Sequence, residues 1–140
     1  MTKIRIVNGP NLNILGRRQP DIYGSASMDD ILAALRQEFS LVEIEYFQSN
    51  HEGALIDCLQ QTDAQGVVLN AGGYTHTSVA LADAVATMDI PVVEVHLSNI
   101  YAREEFRRQS LLSAVCAGTI TGFGPAVYGL AITALINLKT

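Results

Sequence analysis

Cysteine is scarce in this 140-residue chain, with only Cys58 and Cys116 present. Two isolated cysteines in an otherwise ordinary globular chain read as reduced core thiols, not as a disulfide framework. No Cys-x-x-Cys occurs, so structural zinc has no support. Basic residues are also few, with nine Lys and Arg against fourteen Asp and Glu, a formal net charge of -5. That balance argues against a nucleic-acid binder, which carries a basic face. An acidic chain still binds an anion if a few arginines and backbone amides are aimed at it. Phosphate and nucleophile motifs are missing too: there is no Gly-x-Gly-x-x-Gly, no Gly-Lys-Ser/Thr loop and no Gly-x-Ser-x-Gly elbow. The N-terminal run Met1-Thr2-Lys3-Ile4-Arg5-Ile6-Val7 is too short and too charged for a signal peptide, which sets a cytoplasmic expectation.

One long stretch, Gln109 to Leu138, has no Asp, Glu, Lys or Arg. Its length raises a membrane helix. Gly118, Gly122, Gly124, Pro125 and Gly129 interrupt it, so a buried strand followed by a helix is the better reading, with no membrane partner.

Hydrophobic residues make up 49% of the chain, enough for a real core and too many for disorder. Five short apolar runs, Ile4–Val7, Val42–Phe47, Val67–Leu69, Val92–Val95 and Thr119–Thr121, are bounded by turn residues and read as strands. Between them lie helical segments at Met28–Phe39, Ala54–Gln61, Ser78–Met88, Glu104–Leu112 and Val127–Leu138. Ser27 before Met28-Asp29-Asp30 supplies a cap followed by acids in the first turn. This alternation predicts an α/β, flavodoxin-like three-layer fold with a five-stranded parallel sheet, as a single domain over residues 1–140. The loop from Asn11 to Ala26 is unusually long for so small a domain, and such loops are commonly functional.

Ligands of an open parallel sheet bind beyond the carboxyl ends of its strands. Those ends carry Asn8, Asn11, Ser49, Asn70, His96 and Ser98, all uncharged hydrogen-bonding types. The loop Asn70 to Ser78 is rich in small residues and opens a helix, an arrangement that lets backbone approach an anion. Within Val93-Glu94-Val95-His96, alternate residues share a face, so Glu94 and His96 point the same way. A carboxylate beside an imidazole holds one tautomer and favours the protonated ring, which suits a general acid. Arg103 and Arg107 fall four apart on the expected helix and share a face, whereas Glu104 and Arg108 read as a surface ion pair. His51, His76 and His96 sit at three different strand ends without ligand spacing, so no metal is expected.

Four motifs in order resemble the type II 3-dehydroquinate dehydratases. They are Asn8-Gly9-Pro10-Asn11-Leu12-Asn13 with the lid Leu15 to Gly24; Asn70 with Thr75-His76-Thr77-Ser78; Glu94-Val95-His96-Leu97-Ser98-Asn99; and Ala102-Arg103-Glu104-Glu105-Phe106-Arg107. The chain departs from the family pattern at Ala71, commonly Pro, at Tyr101 and Gln19, and around Val127-Tyr128-Gly129. The resemblance implies anti elimination of water from 3-dehydroquinate through an enolate, in the shikimate pathway, with no cofactor. It implies Tyr23 as general base, Arg18 as its activating cation, His96 as general acid supported by Glu94, and Asn11 as holder of an enolate-stabilising water. Asn70, His76, Arg107 and the amides of Leu97 and Ser98 would bind substrate, with Asp83 reaching it from a neighbouring subunit of a dodecamer, a tetramer of trimers. A free tyrosine titrates near 10, so ionisation at neutral pH needs roughly 4 kcal/mol. An exposed ion pair supplies only about 0–1 kcal/mol, so Arg18 would have to act in a partly dried site. The reading from a different class is a non-catalytic flavodoxin-like module, either FMN-binding or a receiver.

Overall fold

The first strand sets the geometry. In β1, Thr2–Asn8, Ile4 and Ile6 enter one core and Val7 enters the other, the two-residue period of a strand buried on both faces. The computed structural model describes residues 2–16 and 26–138. β2 spans Val42–Gln48, β3 Gly66–Asn70, β4 Val92–His96 and β5 Gly118–Thr121. All neighbouring pairs are parallel, in the order β2-β1-β3-β4-β5. That is the flavodoxin-like order, with the switch in direction between β1 and β3.

Four α-helices cover the sheet among the described residues: α1 Met28–Glu38, α2 Glu52–Gln61, α3 Val79–Ala86 and α4 Ala126–Leu138. α1 and α4 pack Ile31, Leu32, Leu35, Val127, Ala131 and Leu135 against Ile4, Ile6, Val68, Val93 and Val95. On the opposite face α2 and α3 pack Leu55, Leu59, Leu81 and Val85 against Val7, Val67, Leu69 and Val92. Val92 faces this second layer, so Glu94 and His96, in step with it along β4, face it too. Ser27 caps α1 as expected: its hydroxyl accepts from Asp30 N at 3.2 Å, and Asp30 Oδ2 accepts from Ser27 N at 3.3 Å. Such a box contributes about 1 kcal/mol.

The uncharged stretch from 109 to 138 resolves into β5 and the thirteen-residue α4, and no helix among the described residues is long and apolar enough to cross a membrane. The expected helix at Glu104–Leu112 does not form. Only a single 3-10 turn, Glu105–Arg107, stands there. The segment finds tertiary partners instead of its own i→i−4 bonds: Leu111 N donates to Thr75 O, and Gln109 O accepts from His76. Ser110 Oγ takes the amides of Leu112 and Ser113. A serine that bonds nearby backbone in this way offers it an alternative to helix.

Candidate active site

Three strand ends build the site. After β1 the chain turns through Gly9 and Asn11; after β3 it runs into the 3-10 stretch Gly72–His76; β4 ends on His96. The first two loops touch. Gly9 N donates to Asn70 O at 2.7 Å, and a Cβ on Gly9 would lie 2.4 Å from Ala71 O. Glycine is therefore required there by proximity. Asn11 holds a left-handed φ of 70°, which Asn tolerates, and its N–H donates to Asn50 Oδ1 at 3.0 Å. Gln48 Nε2 braces the same amide oxygen at 3.1 Å and also donates to Gly9 O.

These loops enclose a cavity of about 150 Å³ lined by Asn11, Asn70, His76, His96, Leu97, Ser98 and Arg107, together with Pro10, Leu12, Leu15, Ile100 and Arg103. A water occupies about 30 Å³ of liquid, so the space suits a small molecule, and it is below the roughly 300 Å³ of common drug-sized pockets. A larger groove lies between α1 and α4, lined by Ala26, Ile31, Leu35, Gly129 and Leu130 among others, but its described lining holds neither histidine nor cation.

The two histidines of the cavity are held from behind. His96 Nε2 donates to Glu94 Oε2 at 2.5 Å, which turns Nδ1 to the other side of the ring. His76 Nδ1 lies 2.7 Å from Gln109 O, and a carbonyl only accepts, so Nδ1 carries the hydrogen and Nε2 is left over. The rings stack with centroids 6.5 Å apart. The histidines expected at separate strand ends thus include two close neighbours, while His51 stays outside, exposed at the start of α2. The described residues contain no cluster of three His, Cys, Asp or Glu placed to hold a metal.

Glu94 is fully buried. Besides His96, its oxygens accept from Ser110 Oγ at 2.7 Å, Ser113 Oγ at 2.7 Å and Thr119 Oγ1 at 3.2 Å. Burial alone would push its carboxyl up, but the hydrogen bonds from His96, Ser113 and Ser110 outweigh burial and hold it below the usual carboxylate value. Nothing in the local sequence around Glu94 announces these hydroxyls. The one available signal was that a buried carboxylate needs donors.

Beneath Asn70 lies a second polar cluster that sequence reading missed. The buried Tyr128 hydroxyl donates to Asn8 Oδ1 at 2.8 Å and accepts from Asn70 Nδ2 at 3.3 Å. Burial pushes the Tyr128 phenol up, so it stays neutral and orients Asn70 as a hydrogen-bonding group.

Other expectations fare differently. Arg103 and Arg107 both reach the cavity, from turns and not from one helix face. The expected Glu104–Arg108 pair is replaced by Arg107 Nε to Glu104 at 2.9 Å, while Arg108 Nε donates to Arg103 O. The N-terminus of α3 does not open on the cavity: Ser78 caps it by accepting from Leu81 N, and the same hydroxyl donates to Glu52. Ser49 accepts from His51 N and stays out of the lining. Asp83 lies on the exposed face of α3, away from this chain's own cavity. Arg18 and Tyr23 lie outside the described residues.

A family model described as dehydroquinase class II matches residues 2–136. A 3-dehydroquinate dehydratase of Exiguobacterium sp. strain AT1b is 55% identical over 137 residues, covering 96% of this chain and 94% of that protein. One of Azorhizobium caulinodans is 56% identical over 139 residues, covering 97% and 95%. The crystal structure of a type II dehydroquinase from Butyrivibrio crossotus superposes with a TM-score of 0.92 at 43% identity, covering 96% of this chain and 97% of that one. With its strand order, its paired histidines and a match spanning nearly every residue, this chain belongs to the class II dehydroquinase family.

Proposed function

We propose that the chain dehydrates 3-dehydroquinate to 3-dehydroshikimate, as a hydro-lyase of the shikimate pathway. The observation that carries the chemistry is the His96–Glu94 pair at the cavity wall, with Arg107 and His76 beside it. Tyr23, with Arg18 as its activating cation, removes the proton next to the ketone. The electron pair moves onto the ketone oxygen as an enolate, which a water held by Asn11 stabilises. Collapse of the enolate expels hydroxide, and His96 Nδ1 delivers its proton to form water. Leu97 and Ser98 offer backbone amides to the substrate carboxylate, and Asn70, His76 and Arg107 fix the hydroxyls. Glu94 balances the imidazolium charge before transfer. Donors fixed in place beforehand favour the enolate because they need no reorganisation as charge develops.

The strand ends carry Asn8, Asn70 and His96 where a receiver would need acids, and the cavity is small for a flavin. The outer face of α3, with Val79, Ala80 and Ala86 exposed around Asp83, supports a homo-oligomer. In a dodecamer of four trimers, a neighbour's Asp83 would complete the site. A cytoplasmic location goes with this reading. The test is an absorbance assay for the conjugated enone formed from 3-dehydroquinate, run with and without EDTA. Enone formation that EDTA leaves intact is expected, and its absence from folded protein would overturn the proposal.

A further inference from the structure

A carboxylate offers about four acceptor positions, two on each oxygen. All four on Glu94 are filled. Oε2 takes His96 Nε2 and Ser110 Oγ; Oε1 takes Ser113 Oγ and Thr119 Oγ1. Three of the donors are hydroxyls brought from two other segments. Thr119 is the register partner of Glu94 across β4 and β5, so its side chain emerges on the same face. Ser110 lies in the irregular segment that stands where a helix was expected, and Ser113 in the turn just beyond it.

The hydroxyl of Ser110 is oriented. Its oxygen already accepts from Leu112 N at 3.1 Å and Ser113 N at 3.2 Å, which leaves its own proton to point at Glu94. The single proton of the Thr119 hydroxyl is shared between Glu94 Oε1 and Ser113 Oγ, 3.2 and 3.4 Å away, which closes the ring around Oε1. A proton placed on Glu94 would have to displace one of these donors, and Ser110 has no lone pair left to receive it.

We propose that Ser110, Ser113 and Thr119 act as positioning residues that keep the shared proton of the pair on His96 instead of Glu94, so that the ring meets the substrate as a cation. The inference rests on the reading of His96 as general acid. The pair has two forms with one proton, imidazolium with carboxylate and imidazole with carboxylic acid. Only the first is a strong donor toward the cavity. Hydroxyls that donate to the carboxylate favour the first, and the depressed titration of Glu94 agrees with this. Other titratable groups face the pair. Cys116 is pushed up to about 12 by burial and by the Glu94 charge, so it stays a neutral thiol. His76 stacks on His96, and Arg103 and Arg107 line the cavity. None of these donates to Glu94.

The proposal has an unusual signature in pH. Removing the hydroxyls destabilises every form that holds a carboxylate and spares the neutral pair. The plateau of kcat then falls, because less of the one-proton state is imidazolium. The alkaline limb moves up, because the one-proton state has gained a form. The test is the pH–rate profile of Ser113→Ala/Thr119→Val, which leaves the backbone bonds of Ser110 intact. A plateau lower by about tenfold with the limb displaced upward by about one unit is expected, because the same loss of imidazolium sets both. Ser113→Thr/Thr119→Ser should restore both. A fall in rate with the limb unmoved or moved down would overturn the proposal, as would an unchanged profile. Glu94→Gln serves as the separating control, because it should move the limb the opposite way. If that variant leaves the profile untouched, Glu94 is a structural carboxylate and the proposal fails with it. Should the double variant not fold, ¹⁵N spectra of the wild-type His96 ring decide: both nitrogens protonated below the limb supports the proposal, and a neutral ring there refutes it.

Discussion

Replacing Glu94 by Gln changes one charge at a site with no exposure and four donors around it. The Ser110 hydroxyl cannot turn, because its oxygen is committed to two backbone amides, so the glutamine carbonyl takes the Oε2 position and continues to accept from Ser110 and His96. The amide NH₂ then faces Ser113 and Thr119, whose hydroxyls can rotate to accept it. Shape and hydrogen bonding survive, and the loss is confined to charge. A hydrogen bond to a charged group contributes about 1.5–3 kcal/mol and a neutral one about 0.5–1.5 kcal/mol. The difference, about 1–1.5 kcal/mol, corresponds to about one pKa unit. The alkaline limb of kcat, where the pair loses the proton that His96 must deliver, should therefore move down by about one unit. Just above the wild-type limb that displacement becomes a loss of about tenfold. Initial rates of enone formation across pH, with circular dichroism to confirm folding, measure this directly. A second reading comes from stability. Glu94 titrates below its ordinary value in the folded chain, so its contribution is present above that ordinary value and fades as pH falls through the lower folded one. The variant should lose this acid-side dependence of Tm. A profile with full activity and an unmoved limb would refute the reasoning and leave Glu94 a structural carboxylate.

Tyr23→Phe should lose most of kcat while keeping a wild-type Tm, and near-normal turnover would remove Tyr23 from the role of base. Tyr128→Phe leaves Asn8 Oδ1 and Asn70 Nδ2 short of a partner in a buried site, so denaturant unfolding should show a loss of about 1–3 kcal/mol, with KM rising because Asn70 is no longer oriented. Light scattering should give a mass many times that of one chain, and Asp83→Ala should raise KM or disturb assembly; a fully active monomer would contradict both.

The middle strands were legible because β3 and β4 are short, mostly apolar runs that end on a polar residue, as a sheet buried on both faces requires. Ser27 was legible because a cap and its partner lie three residues apart. The Glu94–His96 pair was legible for a similar reason, since a period of two fixes their common face. What failed was the segment from Glu104 to Leu112. Its charges at helical spacing suggested a surface helix, but its backbone bonds go to Thr75, His76 and Ser110. Partners distant in sequence leave no periodic trace. The hydroxyls around Glu94 were hidden in the same way, lying sixteen, nineteen and twenty-five residues beyond it. The glycines of the β3 loop were read as room for a ligand. Gly72, with φ 60° and Pro10 O at 3.0 Å from an added Cβ, also shows the close packing of two loops. Both uses apply, because Gly72 lines the cavity.

The place of β1 in the middle of the sheet has a consequence for how the chain assembles. Its residues pair on one side with β2, from Thr2 with Val42, and on the other with β3, from Ile4 with Gly66. β1 precedes both of its partners in the chain, and neither pairing is local. Closing such separations slows the search for the native sheet. The same arrangement makes the two ends of the chain unequal. Of the two outer strands β5 pairs only with β4, so its loss leaves the other four paired, whereas losing residues 2–8 removes the hub and leaves β2 with no neighbour to pair with.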